Sequence, residues 1–319
     1  MTRLIAFLCG LAALAIGLDA QATILRVGRG GAYASVQAAV DALPADGGTL
    51  ELAPGEYREK LEIAKPNVRL IGKGKRPQDV VLVWSDGAIT AGGTFKSASV
   101  SVSGDGFRAR NLTVQNDYHL KNARPSQAVA LAITADRAVL ERVRLLGAQD
   151  TLYAASKKGA PSRQYFRDCY VEGHVDFIFG DAKAFFDRCQ IHGIAHETVM
   201  ITAQSKSRPD QDSAYVFDRC RITADPKVGE LWFGRAWRPY ATVIFLRTRI
   251  DAGLQPEGWR EWTPGKTDTL NTATYAEFAS TGQGARPDTR EPHSRQLTAD
   301  EAKAWSRDAF LSGADGWRP

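Results

Sequence analysis

Tyr165-Phe166-Arg167-Asp168-Cys169-Tyr170, Phe185-Phe186-Asp187-Arg188-Cys189-Gln190 and Val216-Phe217-Asp218-Arg219-Cys220-Arg221 share one pattern: apolar residues, then two polar ones, then a small one. Phe107-Arg108-Ala109-Arg110-Asn111-Leu112, Val139-Leu140-Glu141-Arg142-Val143-Arg144 and Ile244-Phe245-Leu246-Arg247-Thr248-Arg249 follow it more loosely. With Asn111, Val143, Cys169, Cys189, Cys220 and Thr248 as equivalents, the intervals are 32, 26, 20, 31 and 28 residues. A period of this size, carried by strands and turns alone, predicts a parallel β-helix or similar solenoid. Each coil hydrogen-bonds to the next and buries its inner face, and the uneven spacing is loop length.

Outward from the repeat, further β-rich runs bounded by Gly, Asp and Asn cover residues 67–72, 80–84, 97–104, 128–134, 184–191 and 242–250. A β-sandwich is the competing reading, but two-residue Asn-Gly and Asp-Gly hairpin turns are few between the runs. Helical signals are confined to the ends. Ser35 precedes Val36, Ala39, Val40 and Leu43 at helical spacing, stopping before Pro44. Thr298-Ala299-Asp300-Glu301 is a capping box opening a helix that carries Ala302, Trp305 and Ala309. These short helices are expected to cover the ends of an all-β solenoid.

The chain of 319 residues is 44% hydrophobic and 24% charged, which excludes disorder, and its 29 Gly and 14 Pro are too few and too scattered for collagen. The net charge of +5 suits a polyanionic partner but lacks the clustered charge of a nucleic-acid arm. Arg3, the apolar run 4–18 and Ala20-Gln21-Ala22 predict a signal peptide over residues 1–22, cleaved after Ala22. The protein is then secreted, extracellular or periplasmic, with residues 23–319 forming a single domain and no membrane span. Cys169, Cys189 and Cys220 remain. Coils about 4.8 Å apart lie within disulfide reach, so Cys169 and Cys189 either bridge neighbouring coils or stand as two buried thiols.

G-x-S-x-G, phosphate-loop and H-E-x-x-H motifs are absent. His192 and His196 have i, i+4 spacing, but a helix there would interrupt the repeat and no third ligand is evident, so no metal is expected. Asn111-Leu112-Thr113 is a formal glycosylation sequon, but Asn111 falls on the repeat and reads as a buried solenoid residue. Asp150 and Asp176 stand among Thr, Leu, Val, Phe and Ile, where a carboxylate is costly to bury without a partner. They are 26 residues apart, about one coil, so a solenoid can stack both on one face. Two close carboxyls push their ionisations apart into one charged and one protonated group, an acid and nucleophile pair.

Gly55-Glu56-Tyr57-Arg58-Glu59, Gln127-Ala128-Val129-Ala130-Leu131, Gln149-Asp150-Thr151-Leu152-Tyr153, Val175-Asp176-Phe177-Ile178-Phe179-Gly180 and Phe233-Gly234-Arg235-Ala236-Trp237 occur in this order. Over residues 27–285 the chain resembles the pectin methylesterases, carbohydrate esterases that form right-handed parallel β-helices. The resemblance implies that Asp176 is the nucleophile and Asp150 the general acid/base. Gln149 is implied as the oxyanion-stabilising amide, with Gln127 as its partner in holding substrate. Arg235 would orient and charge the nucleophile, Trp237 and Trp259 would be sugar platforms, and Thr94 would touch substrate. The implied partner is methylated polygalacturonate, acted on by a monomer without a cofactor. Two departures stand out. The family usually reads L-G-R-P-W where this chain has Ala236, which predicts a looser turn presenting Arg235 and Trp237. The stretch 156–162 is also longer than in plant members.

Other readings are a calcium-dependent pectate lyase, a polygalacturonase, or a catalytically drifted carbohydrate-binding or envelope solenoid. A lyase needs a cluster of calcium carboxylates that the sequence does not offer. The presence of both Asp, both Gln and Arg235 argues against a silent scaffold.

Overall fold

The computed structural model describes residues 23–157, 160, 162–266 and 268–319. The signal-peptide reading of residues 1–22 lies outside them, as do residues 158, 159 and 161 of the expected longer loop. Three parallel faces wind into a right-handed β-helix. One coil runs through the strands Arg163–Arg167, Tyr170–Gly173 and Ile178–Gly180, and the next through Lys183–Asp187, Gln190–Gly193 and Thr198–Gln204. Each strand pairs in register with its counterpart one coil away.

The corner between the first two faces explains the sequence repeat. Asn111, Arg142, Asp168, Arg188, Arg219 and Arg247 all have φ between 47° and 57°. A single left-handed residue bends the strand while the ladder continues on both sides. Polar side chains point outward there, and Cys169, Cys189 and Cys220 follow on the inside. One equivalence is corrected: Val143 stands opposite Leu112, not Asn111. Asn111 holds the left-handed slot that Arg142 holds one coil later, because Asn tolerates that conformation better than most residues. It is buried, and its side-chain amide donates to the carbonyls of Gly72 and Gly74 at 3.1 and 2.8 Å, in keeping with the buried solenoid reading of the sequon.

Inside the coils, Phe166, Phe186, Phe217 and Phe245 stack with centroids 4.6, 4.5 and 4.7 Å apart. The three thiols beside them are free and buried, so the bridged alternative for Cys169 and Cys189 is set aside. Parallel in-register neighbours point their Cβ atoms the same way. The Cβ separation therefore stays near the strand spacing, about 4.8 Å, beyond the roughly 3.8 Å mean of a disulfide. Each thiol instead donates to a carbonyl of the preceding coil, Cys189 to Phe166 and Cys220 to Phe186.

The helix Val36–Ala42 forms as read, with Ser35 as its N-cap. Glu59 accepts from the Val36 and Gln37 amides, so the Gly55–Glu59 motif serves the fold. Val36, Ala39 and Val40 close the N-terminal opening of the core. The C-terminal reading needs two corrections. The helix breaks at Trp305 into Ala299–Ala304 and Arg307–Leu311. The pair does not close the end of the solenoid: Ala302, Phe310 and Leu311 lie along the flank, on Tyr165, Phe185, Val216, Ile244 and Ala276 of successive coils. That flank is apolar enough to need covering, whereas the last coil is followed by the short strand Arg295–Gln296 paired to Thr274–Phe278. Among the described residues no helix is long and apolar enough to cross a membrane.

Candidate active site

The third face carries the site. Its strands Leu131–Ile133, Leu152–Ala154, Ile178–Gly180, Thr198–Gln204 and Glu230–Arg235 turn Leu152, Ile178, Ile201 and Phe233 into the core and the alternate residues outward. Asp150 and Asp176 precede the second and third of these strands, one coil apart, as the spacing predicts. The Asp150 amide donates to the Val175 carbonyl at 3.1 Å, continuing the ladder between them. Both have left-handed backbones, φ 66° and 53°. Each is thus lifted from the pleat by a conformation that costs free energy and that Asp tolerates.

Arg235 comes from two coils beyond Asp176 and grips it with a fork: Nε to Oδ1 at 3.0 Å and Nη2 to Oδ2 at 2.7 Å. The Trp262 ring lies against the guanidinium, 4.2 Å from centroid to Cζ. The expected loosening at Ala236 is not observed. Ala236 is fully buried, and the Trp237 amide donates to the Gln204 carbonyl at 3.1 Å, so packing and the ladder hold the turn. Gly234 is needed here: a Cβ would meet the Thr202 carbonyl oxygen at 2.1 Å.

Burial sets the electrostatics. It lifts the Asp150 carboxyl well above the usual range, reinforced by the negative charge of Asp176 and opposed by Arg235. Burial also raises Asp176, although the Arg235 hydrogen bond and charge pull it back. The sequence suggests that Arg235 depresses Asp176; here burial outweighs that pull, and the ordering survives because Asp150 lacks such a partner. Among the described residues no protein donor reaches the Asp150 carboxyl, and the side-chain amides of Gln127 and Gln149 bond to no other protein group.

These groups line a cleft of about 410 Å³ together with Thr94, Phe95, Phe179, Ala203, Trp237 and Trp262. It runs along the solenoid axis, crossing coil after coil. Phe95, Tyr153, Phe179 and Trp237 form an aromatic row with centroid separations of 4.8, 4.9 and 6.1 Å. Trp259 is not part of it. That side chain is 1% exposed, inside the solenoid against Phe233 and Tyr275. The second cleft tryptophan is Trp262, which lies in the bend that follows the short strand Trp259–Arg260. Neither Trp262 nor Phe95 nor Ala203 carried a sequence signal that placed it in the cleft. His192 and His196 lie away from the cleft: His192 pairs with Thr223 and Asp225, and His196 stacks on His174. Among the described residues no group of three or more His, Cys, Asp or Glu is placed to hold a metal.

Comparison with known proteins adds an independent line. A family model described as Pectinesterase matches residues 22–314. Pectinesterase 31 of Arabidopsis thaliana is 36% identical over 295 residues, covering 88% of this chain and 89% of that protein. A carrot pectin methylesterase superposes with a TM-score of 0.84 at 29% identity, over 93% of this chain and 95% of its own. A pectin methylesterase in complex with a hexasaccharide superposes with a TM-score of 0.76 at 25% identity, over 92% of this chain and 98% of its own.

Proposed function

The chain belongs to the pectinesterase family, and from that premise we propose how its cleft hydrolyses the methyl esters of galacturonate residues in pectin. An Asp176 carboxylate oxygen, oriented by the Arg235 fork and attacking through a lone pair that the fork does not engage, adds to the ester carbonyl at the sugar C6. The amides of Gln149 and Gln127 donate to the resulting oxyanion. Asp150, holding its proton because it is buried beside a negative charge, gives it to the departing methanol. It then takes a proton from water, which hydrolyses the anhydride on Asp176 and restores both carboxyls. Thr94, Trp237 and the aromatic row bind the polymer along the axis.

The observation that carries this reading is the Arg235 fork on Asp176 beside a buried, unpartnered Asp150. These side chains account for every proton and electron pair, so chelation with EDTA is expected to leave the rate unchanged. Asp176→Asn and Asp150→Asn are each expected to abolish most methanol release from methylated pectin while remaining folded. Wild-type-like release from either would remove that residue from the mechanism. We also propose cleavage after Ala22, a single catalytic domain over residues 23–319, residence outside the cytoplasm and a monomeric state. Amino-terminal sequencing and light scattering of the secreted protein test these.

A further inference from the structure

Trp262 reaches the Arg235 guanidinium from outside any strand, in the bend beyond Trp259–Arg260. A ring carried by a loop keeps its place only if the loop itself is tied down. The tie is the neighbouring residue, Glu261, which is 8% exposed. All the hydrogen bonds it accepts come from the segment it opens. Oε1 takes the Trp262 amide at 2.9 Å and the Thr269 hydroxyl, and Oε2 takes the Thr269 and Leu270 amides, both at 3.1 Å. Leu270 anchors the far end in the core, and the Thr272 hydroxyl donates to the Pro239 carbonyl in the turn after Trp237.

A buried carboxylate is costly without a counter-ion, and among the described residues no cation pairs with Glu261. Burial pushes its carboxyl up, but the hydrogen bonds from Thr269, Leu270 and Trp262 outweigh this and hold it below its ordinary value. Both oxygens are therefore acceptors at neutral pH, as four donors require. One of those donors is the backbone of the residue whose ring lies on Arg235. That ring keeps the plane of the guanidinium whose Nε and Nη2 grip Asp176 at 3.0 and 2.7 Å.

Resting on the esterase reading, we propose that Glu261 is a positioning residue for the nucleophile. By tying Trp262 to Thr269 and Leu270 it keeps the indole on Arg235, and through Arg235 it keeps the fork aligned on Asp176. Glu261 itself does not line the cleft.

Glu261→Gln sets an NH2 group against two donors whichever way the amide turns, so one end of the tie opens. Losing the stack on a partly buried guanidinium corresponds to about fivefold in kcat. Glu261→Gln is expected to lose that factor in methanol release. It is also expected to move the acid limb of the kcat/KM profile to higher pH, because a misaligned Arg235 pulls Asp176 down less against burial. Thr269→Val removes one donor at nearly constant volume and is expected to shift both readouts the same way by less; it carries the test if Glu261→Gln does not fold. In a Trp262→Ala background neither substitution is expected to change kcat or the limb further, since the ring they position is gone. A merely structural role would cost the same factor in both backgrounds. The Arg235 Nε–H resonance, assigned by its loss in Arg235→Lys, reads the contact without turnover, and Glu261→Gln should move it toward its Trp262→Ala position. A folded variant with unchanged kcat, acid limb and resonance overturns the positioning role, and so does an equal loss in both backgrounds. Absence of methanol release by the wild type overturns the esterase reading instead, while the resonance still decides whether Glu261 holds Trp262 on Arg235.

Discussion

Arg235→Lys keeps the charge beside Asp176 and removes the geometry. In the native site both carboxylate oxygens are held, at 3.0 and 2.7 Å, and Trp262 keeps the guanidinium plane in place at 4.2 Å. An ammonium reaches one oxygen at a time and offers no flat face to the indole. One charge-assisted hydrogen bond is worth about 1.5–3 kcal/mol, and the cation–π contact at this depth about 1 kcal/mol. Together they amount to roughly 2–4 kcal/mol, on the order of 100-fold in kcat. KM is expected to move little, since Arg235 spends its donors on Asp176. A second signature accompanies the rate. Burial raises Asp176, and the Arg235 hydrogen bond is the largest influence pulling it back, so Lys is expected to shift the acid limb of the kcat/KM profile to higher pH. Methanol release across pH on methylated oligogalacturonides measures both. A Lys variant with near-normal kcat and an unmoved acid limb would falsify the orienting role and leave charge alone as the requirement.

The wild-type kcat/KM profile is expected to be bell-shaped, rising as Asp176 ionises above the usual carboxylate range and falling as Asp150 loses its proton; a flat profile across both limbs would refute the assignment. Asp150 titrates well above its unfolded value, so its contribution to stability is complete below the unfolded pKa and is lost as pH rises toward the folded one. Asp150→Asn should therefore raise the neutral-pH melting temperature while removing activity. His174 is held down to about 4 by burial and by the neighbouring His196 and His119. Its contribution is present above the unfolded value and lost as pH falls toward 4, so His174→Phe should narrow the gap between urea midpoints at neutral and acid pH. Trp259→Ala should cost about 3–5 kcal/mol of stability, whereas Trp262→Ala should leave unfolding nearly unchanged and lower kcat.

The solenoid was legible because its corner recurs: a polar residue in a left-handed conformation followed by a small inward one imposes the same residue types coil after coil. The register slip at Asn111 arose where that rule was matched on side-chain type rather than on backbone conformation. Asp150 and Asp176 were legible as a pair because their spacing equals one coil. Trp259 and Trp262 were not, since motif position says nothing about which face of a strand a residue occupies or which residue the following bend brings into the cleft. The C-terminal helix was misplaced for a related reason. Its cap is local and readable, but its docking site is assembled from Tyr165, Phe185, Val216 and Ile244, four strands whose common flank exists only after the coils have stacked. The cysteine ladder had two readings until the direction of its Cβ atoms was known.

Asp150, Asp176 and Arg235 come from the first, second and fourth of four consecutive coils, and Trp262 from the fifth. Since every coil touches mainly its neighbours, the solenoid behaves as a one-dimensional stack that can fray from either end. Catalysis then reports on a defined interior window: loosening of the first coils around Val27 or of the last strand at Arg295 leaves the rate intact, whereas one undocked coil between Asp150 and Arg235 silences it. During folding the chain stays inert until docking has spread across that window, and a nick or insertion is tolerated or fatal according to its position along the stack.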